Sequence, residues 1–269
     1  MQPIHFNPPD TLAPYIAFYG IVDIDVEFRE PYCSPPLGFC GFIIYLQGET
    51  NARLNGNLFM KHQYVVGGQI TVPMVGEIVG PTKQVLVFIQ PCGLYQMFGV
   101  DMSTLTNTSI PLQDFICKYE CNALIGKLED APDHQTRIQI LNNFFLAHLP
   151  VFEIAPKVAQ ALDYIHVHKG NVTVKEIEIN CFITARCLER HFKVYIGLSP
   201  KEYAKIYRFK CLFNYIQQNP AANWDTVCEQ NGYYDQSHLT RYFTRYLKMK
   251  PNDMVTFDSE FITYLLQEQ

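Results

Sequence analysis

Over roughly the first ninety residues, apolar positions come in short aromatic and β-branched runs cut by Gly and Pro: Leu37–Leu46 (LGFCGFIIYL), Tyr64–Gly67, Thr71–Val79 and Val85–Gln90. Runs of this length and composition predict strands. Asn55-Gly56, between Ala52-Arg53-Leu54 and Leu58-Phe59-Met60, is the strongest hairpin signal in the chain. Strands at this spacing predict an antiparallel sandwich or barrel. From Gly93 the period lengthens. Ile138, Leu141, Phe145 and Leu149 fall at i, i+3, i+7 and i+11, so 134–149 reads as an amphipathic helix stopped by Pro150. Its stripe is expected against its own barrel or against a second subunit. After Pro156 the pattern is helical, with breaks at Gly170-Asn171, near Phe182, at Gly197 and at Asn219-Pro220. The predicted fold class is α+β: a β-rich domain with flanking helices over 1–150, a linker over 151–156, an all-α domain over 157–255 and a tail over 256–269.

The helical half repeats itself. Sliding it by 51 residues lays Thr184–Pro200 (TARCLERHFKVYIGLSP) on Asp235–Pro251 (DQSHLTRYFTRYLKMKP), with five identities: Leu188/Leu239, Arg190/Arg241, Phe192/Phe243, Tyr195/Tyr246 and Pro200/Pro251. At about 100° per residue, Leu188, Phe192, Tyr195 and Ile196 share one face, and Leu239, Phe243, Tyr246 and Leu247 share the equivalent one. Arg186, Arg190 and Lys193 point away in the first copy. Ser237, Thr240, Arg241 and Thr244 do so in the second. Packing alone accounts for a repeated Leu or Phe. A repeated outward Arg reads either as a shared salt bridge or as a contact to a polyanion. Each copy follows a shorter helical segment, Val174–Ile179 or Trp224–Gln230, and a tight turn, which makes two helix-turn-helix units. Ser199-Pro200-Lys201-Glu202 supplies an N-cap, a Pro at N1 and a capping-box Glu for a joining helix that Asn219-Pro220 stops. About 18 residues span roughly 27 Å, and with the flanking units this approaches the ~34 Å between successive major-groove faces of B-DNA.

Charge sharpens that reading. Residues 1–155 carry 7 Lys+Arg against 14 Asp+Glu, residues 156–255 carry 14 against 9, and the last fourteen add three acids, which gives the overall −5. A polyanion partner suits the helical domain rather than the whole chain. The composition, 48% apolar and 17% charged, excludes disordered, fibrous and rod-like classes. With no run of about 18 apolar residues, no basic-apolar leader at the N-terminus and nine scattered cysteines, the expectation is a cytoplasmic chain of reduced thiols that does not engage membranes. Chemistry for an enzyme is sparse. His5, His62, His134 and His148 are too scattered for a cupin metal set. Pro91-Cys92-Gly93 and Cys117-x3-Cys121 read as buried structural thiols, and there is no phosphate loop or Ser/His/Asp signature. No cofactor is expected.

LERHFKVYIGLSPKEY in the first unit, Arg208 on the joining helix, and NGYYDQSHLTRYF followed by Pro251 together resemble the DNA-binding domain of the AraC/XylS transcriptional regulators. The resemblance implies two recognition helices in consecutive major grooves of double-stranded DNA. By motif position the first offers Arg186, Glu189 and Arg190, and the second Gln236, Ser237, His238, Thr240 and Arg241. Arg suits guanine, Gln suits adenine, and Ser and Thr suit phosphate or base. Three positions depart from the family pattern: Glu178 and Phe182 stand where a small residue and a turn Gly are usual, and Lys248 replaces a Gly. Glu178 must turn outward or find a partner. The N-terminal stretches FNPPDTLAPYIAFYGIVD and VLVFIQPCGLYQMFGVDMSTLTNTSIPLQD are similar to cupin-like effector-type domains. That resemblance implies an unidentified small-molecule effector, a homodimer partner or both, and RNA polymerase as a further partner of such a regulator. The alternatives are a protein-interaction or architectural module with a degenerate DNA domain, motivated by Glu178, Phe182 and the acidic tail, and a metal-dependent cupin-like enzyme.

Overall fold

Thr82–Ile89 (TKQVLVFI) is apolar on both alternating faces, so as a strand it needs cover on both sides. In the computed structural model, which describes residues 4–27, 29–48, 51–60, 62–251 and 253, it has that cover. The strands are β1 Ile4–Phe6, β2 Ile16–Ile24, β3 Arg29–Ser34, β4 Cys40–Gln47, β5 Arg53–Leu54, β6 Asn57–Leu58, β7 Tyr64–Gly67, β8 Met74–Val79, β9 Thr82–Ile89 and β10 Ser109–Pro111. They form a six-stranded sheet in the order β1-β2-β9-β4-β7-β10 and a four-stranded sheet in the order β3-β8-β5-β6, with every pairing antiparallel. Asn55 and Gly56, with φ of 48° and 81°, turn β5 into β6 as the sequence predicts. Gly38 is left-handed at φ 80°, so the run expected from Leu37 enters the sheet only at Cys40.

One face of the larger sheet packs on helices. These are α1 Gly93–Phe98, α2 Leu112–Phe115, α3 Lys118–Asp130 and α4 His134–Ala147, with a single 3-10 turn at Met102–Leu105. Phe42, Val87 and Tyr19 lie in register across the sheet. Phe145 of α4 meets Phe42 with ring centroids 5.4 Å apart. Ile138, Leu141 and Phe145 are buried in this core, so the helix stripe lies on its own barrel and not on a second subunit. Leu149, the expected fourth member, is 43% exposed, because the helix ends at Ala147 with His148 as its C-cap. The opposite face of the sheet contributes Tyr45 and Val65 to a smaller core with Leu54, Phe59 and Met60.

The remaining helices are α5 Pro156–Val167, α6 Val174–Cys181, α7 Ala185–Ile196, α8 Pro200–Gln218, α9 Trp224–Gln230 and α10 Gln236–Leu247. The fold class is α+β. One apolar core joins α5–α10 to the β-rich half, because Phe18, Leu37 and Cys92 are buried in the same cluster as Phe192, Tyr203, Phe209 and Phe243. Polar contacts follow the same seam. The Thr106 hydroxyl donates to the Gly197 carbonyl at 2.6 Å, the rings of Tyr95 and Tyr195 lie 4.4 Å apart, and Lys210 Nζ sits 4.4 Å from the centre of the Phe39 ring. The nine thiols are free, and burial pushes Cys92 up to about 12, a structural thiol rather than a reactive one. The acidic tail expected at 256–269 lies outside the described residues.

Candidate nucleic-acid interface

Each recognition helix is built by local signals that the sequence supplies. Thr173 and Glu176 form a reciprocal capping box at the start of α6, which holds the Glu176 carboxyl below the usual carboxylate range. Thr184 caps α7. Asn223 caps α9, and Asp235 Oδ1 accepts from the His238 amide at 2.6 Å to start α10. α7 ends on left-handed Gly197, and α10 ends on Lys248, also left-handed at φ 60°. Lys248 is 51 residues after Gly197, so one turn recurs with a residue that lacks glycine's freedom.

The apolar stripes dock as expected. Leu188, Phe192 and Ile196 are buried on α7, and Leu239, Phe243, Tyr246 and Leu247 on α10. Tyr195 is only half-buried and instead packs on Tyr95 of α1. On the opposite faces Arg186, Arg190, Gln236, Ser237 and Arg241 are exposed, while Glu189, His238 and Thr240 are half-buried. Neither Arg186 nor Arg241 makes a hydrogen bond or ion pair with another described residue. Among the described residues, then, no salt bridge accounts for the repeated Arg241 position. Among the described residues its counterpart Arg190 reaches only the ring of adjacent His191, at 3.5 Å.

Three of the second-unit candidates are partly occupied. Gln236 Nε2 donates to Asp225 Oδ1 at 2.8 Å, and the Thr240 hydroxyl donates to the Gln236 carbonyl at 2.7 Å. The His238 ring packs edge-on between Tyr233 and Tyr242, each 5.4 Å away. Burial first, then Arg208 and Arg241, hold its imidazole below the ordinary range, with Asp235 opposing. The neutral ring keeps Nδ1 as an acceptor facing the Tyr234 amide at 3.4 Å.

The joining helix does more than space the units. Nineteen residues of α8 span about 28 Å. From its middle, Arg208 Nε donates to the Asn231 carbonyl at 3.1 Å and Nη2 to the Gly232 carbonyl, and its guanidinium lies 4.2 Å from the centre of the Tyr233 ring. One side chain thus fixes the α9–α10 turn. At the start of the same helix, Glu202 pairs with Arg245 of α10 at 2.5 Å.

Glu178 finds its partner locally: Oε1 accepts from the Ala185 amide at 2.5 Å, an orphan donor at the start of α7. Phe182 is left-handed at φ 50° and its ring is 79% exposed, while Lys157 Nζ donates to its carbonyl at 2.5 Å. The equivalent turn of the second unit exposes Tyr234 at 93%. Tyr234 is not among the residues that the family motif marks, although its offset of 51 from Ile183 places it just before the N-cap of the second recognition helix.

Residues 181–256 match the model of a family described as a helix-turn-helix domain. The chain carries an AraC-type helix-turn-helix domain. Ahead of the AraC-type domain, residues 4–111 match a family described as a domain of unknown function. Among solved structures the chain is similar to an apo form of ToxT from Vibrio cholerae strain SCE256, with a TM-score of 0.48 and 8% identity over 89% of this chain and 96% of that one. It is also similar to ToxT from Vibrio cholerae in a second crystal form, with a TM-score of 0.48 and 8% identity over 88% and 97%. The AraC-like transcriptional activator CuxR gives 0.31 and 14% over 74% and 76%. No curated protein matches the chain. Among the described residues no helix is long and apolar enough to cross a membrane, and no three His, Cys, Asp or Glu side chains are grouped to hold a metal ion.

Proposed function

We propose that this chain is a one-component transcriptional regulator whose two recognition helices, α7 and α10, read double-stranded DNA in adjacent major grooves. The division of labour is a sensing or dimerising domain over 1–150 and a DNA-binding domain over 157–255. The observation that carries the reading is one unit built twice on the ends of α8, each copy presenting an outward Arg from the face opposite its core stripe. Arg186, Arg190 and Arg241 are the base-reading or phosphate-contacting cations, with Gln236 and Ser237 beside Arg241. Glu189, His238 and Thr240 line the edge of that surface. The net +5 over 156–255 supplies the sequence-independent attraction to phosphate. Glu178, one reason to suspect a degenerate unit, caps the first recognition helix, which favours a working reader over an architectural remnant. Input from the β-rich half reaches the readers through Thr106–Gly197 and Tyr95–Tyr195, which touch the end of α7.

The test is selection of binding sites from random duplex DNA at physiological salt. Two enriched blocks about one helical turn apart match two reading units, one block leaves α7 idle, and no enrichment rejects sequence-specific reading. Arg241→Ala is expected to lower specific affinity by ~1–3 kcal/mol and to relax preference at one base position. A uniform loss on all sequences reassigns Arg241 to phosphate. Adding Arg190→Ala deepens the loss if the first unit reads.

A further inference from the structure

The two sheets of the β-rich half line a partly open cavity of about 120 Å³. Phe, Leu, Ile, Val and Met side chains form most of its wall. Tyr32, Ser34, Tyr45 and Gln84 carry the polar side-chain groups there, and no Asp, Glu, Lys, Arg or His is among the described residues that line it. Size and lining together define what fits. An apolar cavity of ~150 Å³ stays dry and takes up benzene. A carboxylate or ammonium placed in such a wall has no counter-charge, and its desolvation costs several kcal/mol. A sugar brings several hydroxyls, each needing a partner that the wall lacks. A neutral, largely apolar molecule of one ring, with at most one or two polar atoms, satisfies both limits.

The same wall touches the DNA-binding half. Leu37 and Phe39 line the cavity and also pack in the core shared with α8. Lys210 of α8 sits over the Phe39 ring, and Gly38 lies against Tyr203 and Ile206 of α8, whose side chains are 3.5 and 3.9 Å from where a Cβ would stand. We infer that the cavity binds a small uncharged aromatic or apolar molecule, and that Leu37–Phe39 transmits its occupancy to the helix that spaces the two recognition helices. The inference rests on the regulatory reading above and names the ligand class and the route.

The experiment uses the full chain with toluene and indole as probes, benzoate and glucose as controls, and two readouts: thermal shift for binding, and affinity for the selected DNA site. Toluene and indole are expected to raise the melting temperature saturably while benzoate and glucose do not. Toluene is expected to change DNA affinity about fivefold or more. Ile78→Phe, which fills the cavity, is expected to abolish the toluene shift. Met74→Trp, at a half-buried lining position, asks the same question if Ile78→Phe does not fold. Lys210→Ala is expected to keep the toluene shift and lose most of the DNA response. The ligand class is overturned if toluene and indole give no shift, or if benzoate matches them. The location is overturned if both filling variants bind toluene like the parent. The route is overturned if toluene binds without moving DNA affinity, or if Lys210→Ala leaves the response intact. A chain that selects no DNA site defeats the regulatory reading instead, and the toluene shift still decides the cavity.

Discussion

Arg208→Ala removes the side chain that hydrogen-bonds the α9–α10 turn to α8. Three interactions go together. A part-buried charged hydrogen bond to the Asn231 carbonyl contributes about 1.5 kcal/mol, at the low end for a charged donor. A more exposed bond to the Gly232 carbonyl contributes about 1 kcal/mol, and stacking on Tyr233 contributes ~0.5–1 kcal/mol. The expected loss is about 3 kcal/mol, an upper range because water reaches the Gly232 carbonyl once the guanidinium is gone. The loss is local in origin. Amide exchange of α9 and α10 is expected to accelerate well beyond that of α6 and α7, and urea unfolding gives the total. Specific DNA affinity falls with the order of the second unit. Arg208→Lys keeps the charge but cannot reach both carbonyls as a planar fork, so it recovers less than half. A loss below about 1 kcal/mol, or equal acceleration in both units, refutes the claim that Arg208 fixes this turn.

Three further outcomes are expected. Glu178→Ala deprives the Ala185 amide of its acceptor and is expected to cost ~1 kcal/mol, as other helix-start acceptors do, with exchange of the first α7 amides rising while α10 is unmoved. Lys248→Gly relieves a left-handed residue and is expected to stabilise by roughly 0.5–1 kcal/mol in chemical denaturation, the left-handed penalty less the entropy Gly adds to the unfolded chain. A destabilised variant would mean that the Lys248 stem is needed where it lies. The folded state holds His238 below its ordinary range, so the unfolded chain binds the extra proton as pH falls through about 6.5. Stability is therefore expected to drop from pH 7.5 to 5.5. His238→Gln is expected to flatten that slope but not abolish it, because burial and Arg190 hold His191 down in the same way. An unchanged slope in His238→Gln rejects the assignment.

The recognition helices were legible because their information is local and duplicated: caps, a 3.6-residue stripe and one offset of 51 place α7 and α10 within a residue or two. The β2 strand was not among the expected strands. Ile16–Ile24 is buried almost throughout, as a strand between two partners is, and a continuous apolar run has no alternation to read. The first turn falls where the sequence places it, at left-handed Phe182, although α6 runs to Cys181, two residues beyond the expected Ile179. Glu178 looked like a fault in a packed helix, and only the folded geometry makes it a cap. Nothing local in Phe18, Leu37 or Cys92 says that they lie against helices far along the chain, since such contacts are set by the docking of whole elements.

That shared core also sets a schedule for synthesis. The β-rich half leaves the ribosome first, and its Phe18–Leu37–Phe39 face has no cover until α5–α10 have been made. At ~5–20 residues per second, about a hundred further residues take roughly 5–20 s. Through that interval the nascent chain presents a sticky apolar plate, so a chaperone that shields emerging surfaces should raise soluble yield of the whole chain. Expression of the first half alone makes the exposure permanent, and such a fragment should accumulate in inclusion bodies unless the helical half is supplied in trans.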